Sequence, residues 1–159
     1  MSDHKFISVL GKYFGETELT SFLAELNILK LPKIPRDESD VIVEVKDHGI
    51  ELTFKNEDSL DVSFREYPDS AVVLSNIFFH GIETKDHGMF RLDLPFNLSY
   101  SMNKEDAAKA LGSEPWVNKS GNLLRWDFGK YCISTQFDDD GRMTRVGVQL
   151  PNRFTMKSK

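Results

Sequence analysis

The chain has 159 residues, with Lys plus Arg 20 against Asp plus Glu 25 and a formal net charge of −5, which suits one domain large enough to bury a core without covalent staples. Scattered cations under a net negative charge argue against a nucleic-acid binder, because phosphate contacts need clustered Lys and Arg. The lone cysteine, Cys132, allows no internal disulfide and sits in the apolar run Tyr131-Cys132-Ile133, where a thiol acts as a small buried hydrophobe.

In chain order, residues 5–26 carry Phe6, Val9, Leu10, Tyr13 and Phe14, then Leu19, Phe22, Leu23 and Leu26, spacings of three and four that predict helix. Gly11 and Gly15 divide it in two, Thr17 is the expected N-cap of the second piece, and the helix should stop at Asn27. Pro32 and Pro35 make residues 28–40 an exposed connector. The runs Val41-Ile42-Val43-Glu44-Val45 and Ile50-Glu51-Leu52-Thr53-Phe54 flank Asp47-His48-Gly49, which predicts a hairpin with glycine at a positive φ. Leu60-Asp61-Val62-Ser63-Phe64 alternates and is expected to be a third strand. Residues 72–79 and Met89-Phe90-Arg91-Leu92-Asp93-Leu94 are expected to be two more, the latter ended by Pro95.

Asn103 and Gly112 frame a short helix over residues 104–111 as N-cap and left-handed terminator. Strands are expected at residues 123–127, 131–137 and 142–150, with Asp138-Asp139-Asp140-Gly141 as a turn, and residues 151–159 form a basic tail. Helix, loop, strand, glycine turn, strand, acidic turn and strand recur in two stretches, about residues 5–95 and 101–150. Phe54 matches Phe137 and Leu60 matches Met143 in this weak duplication of a helix-plus-hairpin unit. The expected fold is a single α+β domain over residues 1–159, mostly antiparallel sheet with helices on one side.

Residues that could carry chemistry each have a plainer reading beside them. Asp138, Asp139 and Asp140 could gather oxygens around a hard cation, but the spacing of an EF-hand is missing and Asp and Gly suit a hairpin turn. Lys-Asp-His-Gly occurs at residues 46–49 and 85–88, so His48 and His87 with neighbouring carboxylates could serve a small metal-dependent hydrolase; both copies also make good turns. No phosphate-binding glycine loop, G-x-S-x-G, H-E-x-x-H or C-x-x-C is present. The expectation is therefore a binding protein without catalytic residues, metal or cofactor. Its candidate contact residues are Trp116, Tyr67 and Asp69 with the acidic turns Glu57, Asp58, Asp138, Asp139 and Asp140, rigid aromatics flanked by carboxylates being good anchors for a basic protein. Trp116 could equally cap the core beneath the short helix.

The succession Phe22 to Asn27, Gly49-Ile50-Glu51-Leu52-Thr53-Phe54, Val73 to Gly81, Leu94-Pro95-Phe96-Asn97-Leu98-Ser99-Tyr100, Ala110-Leu111-Gly112 with Pro115, and Trp126 before the last hairpin resembles bacterial immunity proteins encoded beside polymorphic toxins of contact-dependent and type VI secretion systems. It is also similar to the helix-plus-hairpin repeats of β-lactamase-inhibitor-like domains. The resemblance implies a cytoplasmic antitoxin that binds a cognate toxin domain and blocks its active site or substrate path; the acidic bias of the chain fits a toxin that is a basic nuclease or another enzyme with a cationic cleft. An adaptor domain with no toxin partner is the further alternative. Residues 1–14 show no apolar leader and no run of about 18 apolar residues occurs, so no membrane association is expected.

Overall fold

Alternation with period two commits a strand to one buried and one open face, and five stretches of this chain carry it clearly. The computed structural model describes residues 3–61 and 65–151. It contains strands β1 Asp40–Val45, β2 Ile50–Asn56, β3 Val72–His80, β4 Trp116–Val117, β5 Leu123–Asp127, β6 Cys132–Phe137 and β7 Met143–Gln149, with helices α1 Asp3–Ile7, α2 Thr17–Glu25 and α3 Lys104–Leu111. The strands form one sheet in the order β1-β2-β3-β7-β6-β5-β4, every neighbouring pair antiparallel. This is the α+β class expected from the sequence.

Two cross-strand rows of apolar side chains make the core. One runs Val43, Leu52, Ile77, Val148, Ile133 and Trp126; the next runs Val45, Ile50, Phe79, Val146, Thr135, Leu124 and Val117. Thr135 interrupts the second row, fully buried and with no hydrogen-bond partner for its Oγ1. Phe6 of α1, Leu19, Phe22 and Leu23 of α2 and Ala107 of α3 join the same cluster, so the helices lie on that face. Five residues cannot sustain a helix in water by themselves. What holds α1 is Phe6, whose ring meets Phe22, Phe79 and Phe90 edge-on at centroid distances of 5.7, 5.0 and 5.6 Å.

Local signals were accurate where they acted alone. Asn103 caps α3 by accepting from Asp106 N at 2.8 Å in a reciprocal capping box, and Gly112 closes it at φ 76°. Gly49, at φ 67°, turns β1 into β2 through the short 3-10 turn Lys46–His48. The start of α2 differs from expectation: Glu16 is the N-cap and Thr17 already lies in the helix. The Glu16 carboxylate is held by Tyr13 N at 3.3 Å and the Arg65 guanidinium at 2.7 Å, and that tertiary anchor begins the helix one residue early.

Two expected strands do not form as drawn. Leu60 and Asp61 lie outside any strand, and Val62, Ser63 and Phe64 fall outside the described residues. Residues 89–94 are irregular and pair with no strand; β3, against whose end the segment lies, already has β2 on one side and β7 on the other. A single bond, Phe90 N to His80 O at 2.9 Å, ties the segment to the end of β3. Phe90 and Leu94 are buried while Leu92 is 69% exposed.

The pairing registers of the two halves coincide. Leu52 pairs with Ile77, Thr53 with Asn76 and, after a bulge, Phe54 with Leu74; Thr135 pairs with Val146, Gln136 with Arg145 and, after a bulge, Phe137 with Met143. The bulged residues make matching bonds, Ser75 Oγ donating to Thr53 O and Thr144 Oγ1 to Gln136 O, each at 3.2 Å. Met143 therefore corresponds to Leu74 and not to Leu60, since the first half carries a longer connector between its paired strands. In the central pair, Asn76 opposite Gln149 exchanges with Arg145 opposite His80, and Phe78 opposite Gly147 maps onto itself. A local two-fold axis thus passes between Phe78 and Gly147.

Candidate partner-binding face

The side chains that alternate with the core face the other way, where none of the three helices covers them. Crossing that open face through the local axis is one continuous row: Glu44, Glu51, Phe78, Gly147, Ser134, Arg125 and Trp116, each opposite the next on the neighbouring strand. It begins with two carboxylates on β1 and β2 and ends with a cation and an indole on β5 and β4. Gly147 and Ser134 leave room at its centre, and the Phe78 ring fills it: a β-carbon on Gly147 would meet that ring at 2.7 Å.

Arginine covers an aromatic ring twice on this face. The Arg145 guanidinium lies 3.8 Å from the Phe78 centroid and Arg125 lies 4.3 Å from the Trp116 ring. Arg145 also donates to Glu51 Oε2 at 2.7 Å, so three strands share one fixed cation. Such stacking is worth about 0.5–1 kcal/mol when exposed and, more to the point, presents the planar groups as rigid bodies. Glu44 stands directly opposite Glu51, a like-charged pair that opposes folding; only Glu51 has an arginine.

The contact residues expected from the sequence are distributed over three places. Trp116 lies on edge strand β4 and is 37% exposed, so it does not cap the core; that position belongs to Trp126, buried and donating Nε1 to Ser113 O at 3.0 Å. Asp138, Asp139 and Asp140 form the β6–β7 turn at the end of the sheet where β3 finishes. There Asp138 Oδ1 accepts from Asp140 N and Arg142 N at 3.0 and 2.9 Å, while Asp139 Oδ1 accepts from Asn122 at 3.4 Å. Glu57, Asp58, Tyr67 and Asp69 lie in the connector from β2 to β3, at the opposite end. Tyr67 is engaged within the fold: its hydroxyl donates to Gly11 O at 2.6 Å and Arg65 lies 4.9 Å above its ring. Burial pushes its pKa up, against the opposing pull of Arg65.

The histidines pair in an unexpected way. His48 is exposed on the β1–β2 turn, whereas His87 stacks on His80 with centroids 3.7 Å apart. Burial, then His87 and Arg145, hold the His80 pKa down at about 4, against a smaller opposing effect of Glu44; His80 is neutral at pH 7. Among the described residues no group of three His, Cys, Asp or Glu side chains is placed to hold a metal ion, and no helix is long and apolar enough to cross a membrane. Cys132 is buried.

The molecule is thus defined as an α+β domain with a helix-covered face and an open, charged and aromatic face. Set against family models, curated proteins and solved structures, the chain matches none.

Proposed function

We propose that this chain is a protein-binding domain of the immunity class, which neutralises a cognate toxin domain by covering its active site or substrate path with the open face of its sheet. The observation that carries the reading is the row from Glu44 to Trp116, in which two arginine-covered aromatics stand on strands of one sheet. Trp and Arg are the residue types that dominate binding energy at protein interfaces, and a sheet positions them with little entropy left to lose. The net charge of −5 favours a basic toxin surface and speeds encounter with it. The succession of elements resembling toxin-linked immunity proteins supplies the partner class.

Co-expression with the product of the neighbouring upstream gene tests the reading. The expected result is restored growth and a stable complex that Trp116→Ala together with Arg145→Ala weakens at least about thirtyfold, about 2 kcal/mol. Toxicity unchanged by the wild-type chain, or a neighbour with no toxic domain, sinks it.

A further inference from the structure

We infer that the outer edge of β1 accepts an extended segment of a protein partner as a further strand of the sheet, and that this segment carries cations at alternate positions. The inference rests on the reading of the chain as a protein-binding domain, and not on the partner being a toxin. Strand β1 ends the sheet, pairing only with β2, while the opposite edge is the two-residue β4. Beyond that ladder, the described residues offer the backbone of residues 40–45 no further hydrogen bond. Alternate N–H and C=O groups of such a strand face outward unpaired and template another strand. Of the usual protections Asp40-Val41-Ile42-Val43-Glu44-Val45 has only its two carboxylates: it has no proline and no lysine, and the bulge in this half of the sheet lies between β2 and β3.

Charge selects the occupant. Asp40, Ile42 and Glu44 stand together on the open face, Ile42 56% exposed. Among the described residues neither carboxylate has an ion pair: Lys55 stands opposite Asp40 without forming one, and Glu44 faces Glu51, whose carboxylate holds Arg145. A second copy of the chain fits poorly. Antiparallel self-pairing centred on Ile42 sets Asp40 against Glu44 of the other copy, and centring on Val43 sets Glu44 against Ile42, so neither register supplies a cation from within the strand. A strand with cations at alternate positions sets one against each carboxylate and the methylene stem of a third over Ile42, extending the row that Glu44 begins.

The test uses the full chain and three synthetic peptides of lysine, threonine and valine: one with lysine at alternate positions, one of the same composition with its lysines in a block, and the alternating one N-methylated along one edge. Amide hydrogen exchange followed by NMR reports where each binds. The alternating peptide should slow exchange in residues 41–45 and bind at least about tenfold more tightly than the other two, and Asp40→Lys with Glu44→Lys should cost about tenfold in its affinity. The inference is overturned if the block or N-methylated peptide binds equally well, if protection falls outside β1, if the double variant, verified as folded by its spectrum, binds unchanged, or if the free chain is already a dimer through this edge. A toxin neutralised equally well by the Asp40→Lys/Glu44→Lys chain also removes this edge from the interface and leaves the toxin reading standing. Failure of wild-type neutralisation removes the toxin reading alone, and the peptide result decides the edge.

Discussion

Gly147 lies directly opposite Phe78 at the centre of the sheet, and the Phe78 ring occupies the space a side chain on Gly147 would need. An added β-carbon would approach two ring carbons at 2.7 and 2.8 Å and Ser134 Oγ at 2.7 Å, closer than such contacts are found. The backbone there is not left-handed, so the constraint is one of space. Because the ring carries Arg145, and Arg145 holds Glu51, this contact organises the middle of the open face.

Gly147→Ala should therefore destabilise the chain by about 1–3 kcal/mol in urea unfolding, the usual range for overpacking. The cost should shrink in a Phe78→Ala background, because the ring is then gone and the Ser134 hydroxyl, the other close atom, can rotate to another rotamer. An equal cost in both backgrounds would show that the Phe78 contact is not the cause.

For Trp116, the exposed position on β4 separates two roles by measurement. Trp116→Ala should lower unfolding stability by less than about 1 kcal/mol, in keeping with a surface site, where loss of a core tryptophan costs about 3–5 kcal/mol. In a complex with a partner the same change should cost about 2 kcal/mol or more. A large stability loss with unaltered affinity would take Trp116 out of the binding face.

The three aspartates of the β6–β7 turn should not behave alike. Asp138 accepts two backbone N–H groups of its own turn, so Asp138→Ala should cost about 0.5–1.5 kcal/mol of stability. Asp140 is exposed, and Asp140→Lys should leave unfolding unchanged while altering only the salt dependence of association with a basic partner. Equal stability losses for the two variants would contradict the hydrogen-bond assignment.

His80 gives a pH dependence of definite sign. Its pKa is held down from 6.5 to about 4 in the folded chain, so between those values the unfolded chain takes up a proton that the folded chain refuses. Stability is unaffected by His80 above about pH 6.5 and falls as pH drops toward about 4, beyond which the penalty is constant. His80→Gln should lose less stability than wild type between about pH 7 and pH 5, a comparison that leaves the carboxylates common to both chains. Identical losses would mean that His80 titrates normally.

Features written within a few neighbouring residues were legible without coordinates. Asn103 followed by Asp106 caps α3, Gly49 takes the left-handed turn, and the alternation of residues 41–45, 50–54, 132–137 and 143–149 defines which face is buried; each follows from chemistry that a short segment carries by itself. Trp116 could be selected as an exposed anchor candidate in the same way. Its companions were missed, although one trace was present: Phe78, between the core residues Ile77 and Phe79, occupies the phase of the strand that should be polar. Tertiary structure alone decided the rest. Which strands flank β3 determined that residues 89–94 could not pair with it, that Leu74 and not Leu60 answers to Met143, and that Glu44, Glu51, Phe78, Arg125 and Trp116 fall in one row. Register is a relation between strands distant in the chain, set by burying all their apolar faces at once, and no local segment contains it.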